Sequence, residues 1–546
     1  MASILETSFA RSENGWLASV AETLSAASTR AVLAFTFWQA ALSTVLTLLV
    51  GLPGAYLVAR FRFRGRSFLL ALTAIPFVMP TLVVAAAFNA LIGPSGWLNL
   101  GLMRLFALSR PPLDLSGTLG AILLAHVFYN TTIVVRMVGD FWSHLDPRLG
   151  QAARVLGANR WQVLAKITLP LLLPAIAAAA LLVFLFCFTS FGVILVLGGT
   201  GFATLEVEIY HQTVGLFDLP AAAALSLLQL ACTLAMTVLY SYLTERLARP
   251  LSLRPQTYTQ QRLVTRRSKL VAAVVVALLA VLLLAPLAAL ALRSVTRLDP
   301  ARGQGVQPAG LTLDYYRELA FNRRGSSFYA PPTTAVALSL GYAAATVLLS
   351  LAIGMPAAWL LARSRREAGL LAAAGRLLDS LLMLPLGTSA VTLGLGFIVA
   401  LDHPPLDLRA SPFLVPLAHT LVAFPFVVRS LAPALYSIRP NLHHAAAVLG
   451  ASSRQVALRV DLPLVGRAVI VAAAFAFTIS LGEFGATALI ARPEYPTIPV
   501  AIYRFLSRPG GLNYGQALAL STLLMLTCTA SMLAIERLRI ADVGEF

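Results

Sequence analysis

The stretch Gln151-Ala152-Ala153-Arg154-Val155-Leu156-Gly157, followed after nine residues by Ile167-Thr168-Leu169-Pro170, occurs twice in this chain. Its second copy reads His444-Ala445-Ala446-Ala447-Val448-Leu449-Gly450, then nine residues, then Val460-Asp461-Leu462-Pro463. Both copies sit in polar, basic loops between long apolar runs, which places them at a membrane surface. Paired alanines present a smooth helical face that a groove accepts. The glycine ends such a helix in a left-handed cap, and Leu-Pro marks where the chain turns back into an apolar run. A single amphipathic loop helix carries similar letters; two copies with the same internal spacing point instead to paired contact sites for a soluble partner.

Composition supplies the setting. The chain has 546 residues, of which 58% are hydrophobic and 12% charged, too apolar for a soluble globule of this size. It reads as an all-α, polytopic membrane protein. The formal net charge of +18 raises the question of nucleic acid, but excess Arg and Lys in inward-facing loops orients a membrane chain without any such partner. Cys187, Cys232 and Cys528 lie inside apolar runs with no metal-ligand spacing. Residues 1–30 carry Glu6, Arg11, Glu13, Glu22 and Arg30 and lack the long apolar core of a cleavable signal.

Eleven runs are long enough to cross about 30 Å of hydrocarbon as helices. The spacing predicts spans near 32–59, 68–91, 118–138, 171–197 and 220–243, then 270–292, 333–361, 378–401, 411–432, 468–490 and 513–535. Basic clusters follow the first helix of each half, at Arg60, Arg62, Arg64 and Arg66 and at Arg363, Arg365, Arg366 and Arg376. A third cluster, Arg246, Arg249, Arg254, Arg262, Arg266, Arg267 and Lys269, lies between the halves. With these and both repeated loops on the cytoplasmic side, residues 1–30 fall outside and the C-terminus inside. The segment 294–331, whose arginines are balanced partly by Asp299, Asp314 and Glu318, then falls outside.

The halves repeat. Leu124-Ala125-His126 through Val134-Val135-Arg136 answers Leu417-Ala418-His419 through Val427-Val428-Arg429 at an offset of 293 residues, which the loop glycines, Phe191-Gly192 and Phe484-Gly485, and Tyr210 and Tyr503 share. Gly51-Leu52-Pro53 and Gly354-Met355-Pro356 match at a slightly larger offset. Such self-similarity implies two copies of one bundle about an axis along the membrane normal. A five-helix half ends on the side opposite its start, so a second half of the same sense needs one more crossing, which the run near 270–292 provides.

The doubled loop resembles the EAA loop of ABC importer permeases, whose form is Glu-Ala-Ala, three residues, Gly, nine residues and Ile-x-Leu-Pro. Gln151 and His444 depart from it at the acid. The repeat as a whole resembles the fused, two-in-one permeases of the thiamine and iron(III) class. Phe37-Trp38-Gln39, the stretch from Leu124 through His126 to Asn130, Ser480 through Glu483 to Gly485, Tyr495-Pro496-Thr497 and Ile502-Tyr503 carry that likeness. The resemblance implies two pseudo-symmetric permease halves of the type I, MetI-like kind. It implies that Gln151, Ala152, Ala153, Gly157, Ile167, Leu169 and Pro170, with His444, Ala445, Ala446, Gly450, Val460, Leu462 and Pro463, couple to two copies of a cytoplasmic ATP-binding subunit. An extracytoplasmic solute-binding protein delivers the solute in such systems. ATP and magnesium belong to the partner, since the chain has no Gly-x-x-x-x-Gly-Lys-[Ser/Thr] loop, and no cofactor or metal is expected on the chain itself. Family members often begin with one more helix.

The expected domains are an extracytoplasmic segment 1–30, a first half 31–247 with its loop at 146–171, a basic linker 248–269, an extra helix and outer segment 270–331, and a second half 332–546 with its loop at 439–464. Ionisable groups within spans are costly in lipid and mark candidate functional positions. Glu483 stands about sixteen residues into its expected span, roughly 24 Å of helical rise, toward the outer mouth; its counterpart is Ser190. One carboxylate there suits a cationic solute such as thiamine or ferric ion, or serves the fold by bonding nearby backbone or an arginine. His126 and His419 either form a polar gate or bond within each bundle. Asn130, Thr189, Ser190 and Thr478 are expected as polar lining, with Phe188, Phe191, Phe477 and Phe484 sealing the path or packing the core. An ion-gradient-driven secondary transporter also accounts for the repeat and Glu483, but not for the doubled loops.

Overall fold

The structure, a computed structural model, describes residues 16–113, 115–199, 201–247, 259–298, 310–321, 330–364, 369–383, 388–401, 407–409 and 411–540. The chain divides into two compact units: one holds the described residues from 16 to 298 with 310–311, the other those from 312 to 540. Arg249, Arg254, Asp299, Arg365 and Arg366 lie outside the described residues.

Nearly all of the described chain is helical, because a backbone in hydrocarbon must satisfy its own N–H and C=O groups. Besides the short helices Trp16–Ser25 and Trp97–Phe106, the first unit holds α1 (Ala27–Arg60), α2 (Arg66–Val78), α3 (Thr81–Ile92), α4 (Leu119–Ser143), α5 (Arg148–Val155), α6 (Arg160–Phe188), α7 (Gly192–Leu197), α8 (Leu205–Tyr210), α9 (Leu219–Leu247) and α10 (Arg266–Ser294). The second comprises α11 (Pro332–Ser364), α12 (Leu370–Met383), α13 (Ala390–Ala400), α14 (Leu414–Tyr436), α15 (Pro440–Val448), α16 (Ser453–Gly482), α17 (Gly485–Ile490), α18 (Ile498–Leu506) and α19 (Gly511–Ile540). A two-residue parallel pair, β1 (Phe61–Arg62) with β2 (Gln261–Arg262), joins the loop after α1 to the strand before α10.

Among the described residues ten helical stretches are long and apolar enough to cross a membrane, α3 counted together with the helix Trp97–Phe106 that follows it as one stretch, where eleven were expected. The run expected at 378–401 falls on α12, on α13 and on residues 384–387, which lie outside the described residues. The run expected at 68–91 breaks between α2 and α3. Pro80 lacks an N–H and crowds its predecessor out of the helical region, and Met79 is extended at φ −69°, ψ 134°. The runs expected at 171–197 and 468–490 also break, at Thr189–Phe191 and at Glu483–Phe484, each leaving a short second helix.

Within the second unit α11, α14 and α16 pack together around Ala358, Ala423, Val427, Leu431 and Ala472. In the first, α1 packs on α4 and α6. Glycine makes the tight crossing possible in both: a Cβ on Gly51 would lie 2.7 Å from Val134 Cβ, and one on Gly354 would lie 2.8 Å from Val427 Cγ1. These contacts are counterparts in the repeat, so the duplication extends to packing. The extra helix α10 belongs to the first unit, where Leu279, Leu283 and Leu290 are buried as it packs on α3 and, more lightly, on α1 and α2.

Candidate functional site

The doubled loop folds the same way twice. In the first copy α5 ends in a cap in which Gly157 N donates to Arg154 O at 3.0 Å and Ala158 N to Ala153 O at 2.9 Å. In the second, Gly450 N donates to Ala447 O and Ala451 N to Ala446 O, both at 3.0 Å. This double bond pattern needs a left-handed residue at its turn, and Gly157 and Gly450 take φ +87° and +76°. Each next helix then starts in a capping box, Asn159 with Gln162 and Ser452 with Gln455. A wide π turn follows, over Leu164–Thr168 and Ala457–Asp461, and each span continues from Leu169-Pro170 or Leu462-Pro463.

Neither α5 nor α15 buries a single residue. Gln151, Ala152, His444 and Ala445 are exposed, and Ala153 and Ala446 half-buried. Sequence reasoning passed over the residues that stand out most: Val155 is 88% and Leu156 87% exposed, and Val448 and Leu449 are 88% and 86% exposed. Trp161, 78% exposed, adds a large apolar side chain in the first copy. The signal was present as Val-Leu before each glycine. Ile167 and Val460 are half-buried, whereas Leu169, Pro170, Leu462 and Pro463 are exposed. The copies differ at one tether: His443 Nε2 lies 2.6 Å from Asp461 Oδ1, holding α15 to the π turn. Gly150 and Thr168 occupy the matching positions in the first copy and cannot form that pair.

The intramembrane candidates gather around the two helix breaks. In the first unit His126 is bonded on both sides, Nδ1 to Ser43 Oγ and Nε2 to Ser190 Oγ, each at 2.9 Å. Asn130 donates to His126 O at 3.0 Å and to Cys187 Sγ at 3.3 Å. Thr189 donates back to Leu185 O at 3.0 Å. In the second unit His419 meets Ser480 Oγ through Nδ1 and Thr487 Oγ1 through Nε2, each at 2.8 Å.

Glu483, buried at the end of α16, caps α17. Its Oε1 accepts from Ala486 N at 2.8 Å, and its Oε2 accepts from Thr487 N at 3.0 Å and from the Thr487 hydroxyl. His419 Nε2 stands 3.4 Å from Oε2. A carboxylate suits the unpaired N–H groups and positive end of a helix. Phe191 and Phe484 each lean on the tyrosine of a following helix, with ring centroids 5.4 Å from Tyr210 and 5.5 Å from Tyr503.

Ten long apolar helices, an internal duplication carried down to single contacts and two exposed surface helices define a class: a multi-pass membrane permease made of two related halves. Residues 51–249 match the family model described as the binding-protein-dependent transport system inner membrane component. The thiamine transport system permease protein of Brucella abortus is 30% identical over 508 residues, covering 92% of this chain and 86% of that protein. Its counterpart in Escherichia coli K12 is 28% identical over 93% of this chain and 88% of that protein. A probable ABC transporter permease protein of Sinorhizobium fredii is 29% identical over 94% and 89%. The chain therefore belongs to the fused inner-membrane permeases of binding-protein-dependent ABC import systems. That membership sets aside the ion-gradient alternative, and members of the family work with ATP-binding and solute-binding partners.

Proposed function

We propose that this permease imports thiamine, with α5 and α15 seated in grooves on two copies of a cytoplasmic ATP-binding subunit. The observation that carries the coupling role is the pair of bare aliphatic knobs, Val155-Leu156 and Val448-Leu449, each held out by a rigid glycine cap on a helix that buries nothing. Exposed apolar groups outside the membrane mark an interaction surface. ATP-driven closure of the partner favours one arrangement of the halves, and that difference in binding energy shifts the population between outward and inward states. The π turns of α6 and α16, and the Leu-Pro pairs that follow them, transmit the motion into the spans.

In this reading the loops carrying α5 and α15 and the arginine-rich connectors face the cytoplasm, as the positive-inside rule asks. An extracytoplasmic binding protein presents the solute at the opposite face. In each unit the helix break borders the route, with Ser190, Thr189, Asn130 and Phe191 braced by His126 in the first and Glu483 and Phe484 braced by His419 in the second. The relatives named as thiamine permeases support the substrate, and a carboxylate in one half accords with a cation.

Reconstitution into proteoliposomes with the ATP-binding subunit inside and the binding protein outside tests this directly. ATP-dependent accumulation of labelled thiamine is expected, and none when the nucleotide is replaced by a non-hydrolysable analogue. Uptake of thiamine by the chain alone along an ion gradient would refute the proposal.

A further inference from the structure

Arg60-Phe61-Arg62-Phe63-Arg64 alternates cation and ring, the two-residue period of an extended chain. Phe61 and Phe63 turn inward with Leu263 onto Leu57, Val58 and Leu69, while Arg62 and Arg64 are exposed. Pairing of β1 with β2 sets Arg62 in register with Arg262. Side chains in register on neighbouring strands leave the same face about 4.8 Å apart, so two arginine side chains from distant parts of the chain start out from adjacent backbone positions. Like charges placed opposite each other weaken a strand pair, and among the described residues neither arginine forms an ion pair with an acid.

More positive charge converges on this corner. The first turns of α2 and α10 hold Arg66 and Arg266 with no acid among them, and Arg267 and Lys269 follow in α10, against the sign a helix start prefers. Burial, and then the neighbouring Arg62, lower the affinity of Arg66 for its proton, opposed by Asp140. Orientation of the chain in the membrane explains the sign of these residues, but not why two of them are locked in register. Exposed apolar side chains lie among the cations: Phe68 on α2, Val264 after β2, and Leu270 and Val271 on α10. Cations interleaved with bare apolar groups fit a bilayer surface better than an acidic protein.

We propose that this corner of the first unit binds the phosphate headgroup of an anionic phospholipid, the phosphate resting between Arg62 and Arg262 and the acyl chains lying along Phe68, Leu270 and Val271. The headgroup relieves the repulsion between the registered arginines and fastens the loop after α1 to the start of α10.

The test uses the full purified chain in a neutral detergent, titrated with phosphatidylglycerol or phosphatidylcholine of matched acyl chains, or with inorganic phosphate alone. Bound lipid is counted by native mass spectrometry, and the unfolding temperature is followed in parallel. Phosphatidylglycerol is expected to bind and raise the unfolding temperature, phosphatidylcholine and free phosphate to do neither. The double substitution Arg62→Gln/Arg262→Gln is expected to bind phosphatidylglycerol about thirtyfold more weakly, at roughly a tenfold factor per 1.4 kcal/mol and about 1 kcal/mol per cation. Arg62→Lys/Arg262→Lys keeps the charge and is expected to retain most of the preference, which guards against misfolding of the neutral pair. Equal effects of the two lipids on the parent chain overturn the proposal, as does full lipid preference in the glutamine variant. Protection by inorganic phosphate alone overturns it too, reassigning the surface to the free anion.

Discussion

The backbone N–H of Ile498 donates to the hydroxyl of Ser339 at 2.8 Å, across 159 residues of sequence. In the first unit the N–H of Leu205 donates to the Thr36 hydroxyl at 3.1 Å in the same way. Ile498 and Leu205 are 293 residues apart, and they open α18 and α8, the second helix after each span break. The hydroxyls thus act as caps supplied from another helix, satisfying N–H groups that a helix start leaves without a partner. We predict that Ser339→Ala and Thr36→Val each cost about 1–2 kcal/mol by stranding a buried N–H. Thermal unfolding of the purified chain checks this, with Ser339→Thr expected to lie close to the parent.

The glycine crossings give a second expectation. Gly51→Ala and Gly354→Ala force a methyl to within 2.7 Å of Val134 and 2.8 Å of Val427. Each is expected to lose about 1–3 kcal/mol, the usual cost of overpacking. Gly341→Ala on α11, where an added Cβ meets nothing within 4 Å, serves as the control and should unfold at the parent's temperature or slightly above it. Equal losses at all three sites would remove the packing explanation.

Glu483 combines a capping role with the place proposed for it beside the route. Its two oxygens accept from Ala486 N, Thr487 N and the Thr487 hydroxyl. Glutamine keeps one acceptor and turns an NH2 group toward these donors. Glu483→Gln is therefore expected to destabilise the second unit by about 1–2 kcal/mol and to lower uptake of a cationic solute beyond what the lost folded fraction explains. Uptake per folded molecule, measured well below the unfolding temperature, separates the two effects. An unchanged rate and solute preference per folded molecule would leave Glu483 a cap and nothing more.

Much of this was legible in the chain. The doubled Ala-Ala and Gly letters located both surface helices, because a left-handed cap demands glycine and few other residues supply it. The offset of 293 residues paired His126 with His419 and Phe191 with Phe484, whose surroundings correspond. Hydropathy could not show that the runs containing Ser190 and Glu483 are interrupted, since the short helices after each break are as apolar as the spans before them. Thr36 and Ser339 were missed because their role rests on contacts with Leu205 and Ile498, 169 and 159 residues away, beyond the reach of any local pattern. The registered arginines depend on a strand contact between segments 200 residues apart, which no local pattern reveals.

The central claim is that two surface knobs seat the ATP-driven partner, and Val155→Asp/Leu156→Asp combined with Val448→Asp/Leu449→Asp tests it most directly. The four side chains are 86–88% exposed, so insertion and unfolding temperature are expected to stay at the parent's values. Recovery of the ATP-binding subunit with the purified chain is then expected to fall at least tenfold, consistent with loss of more than about 1.4 kcal/mol of binding, and solute-stimulated ATP hydrolysis to fall with it. Full recovery of the partner together with normal stimulated hydrolysis in the fourfold variant would contradict the account.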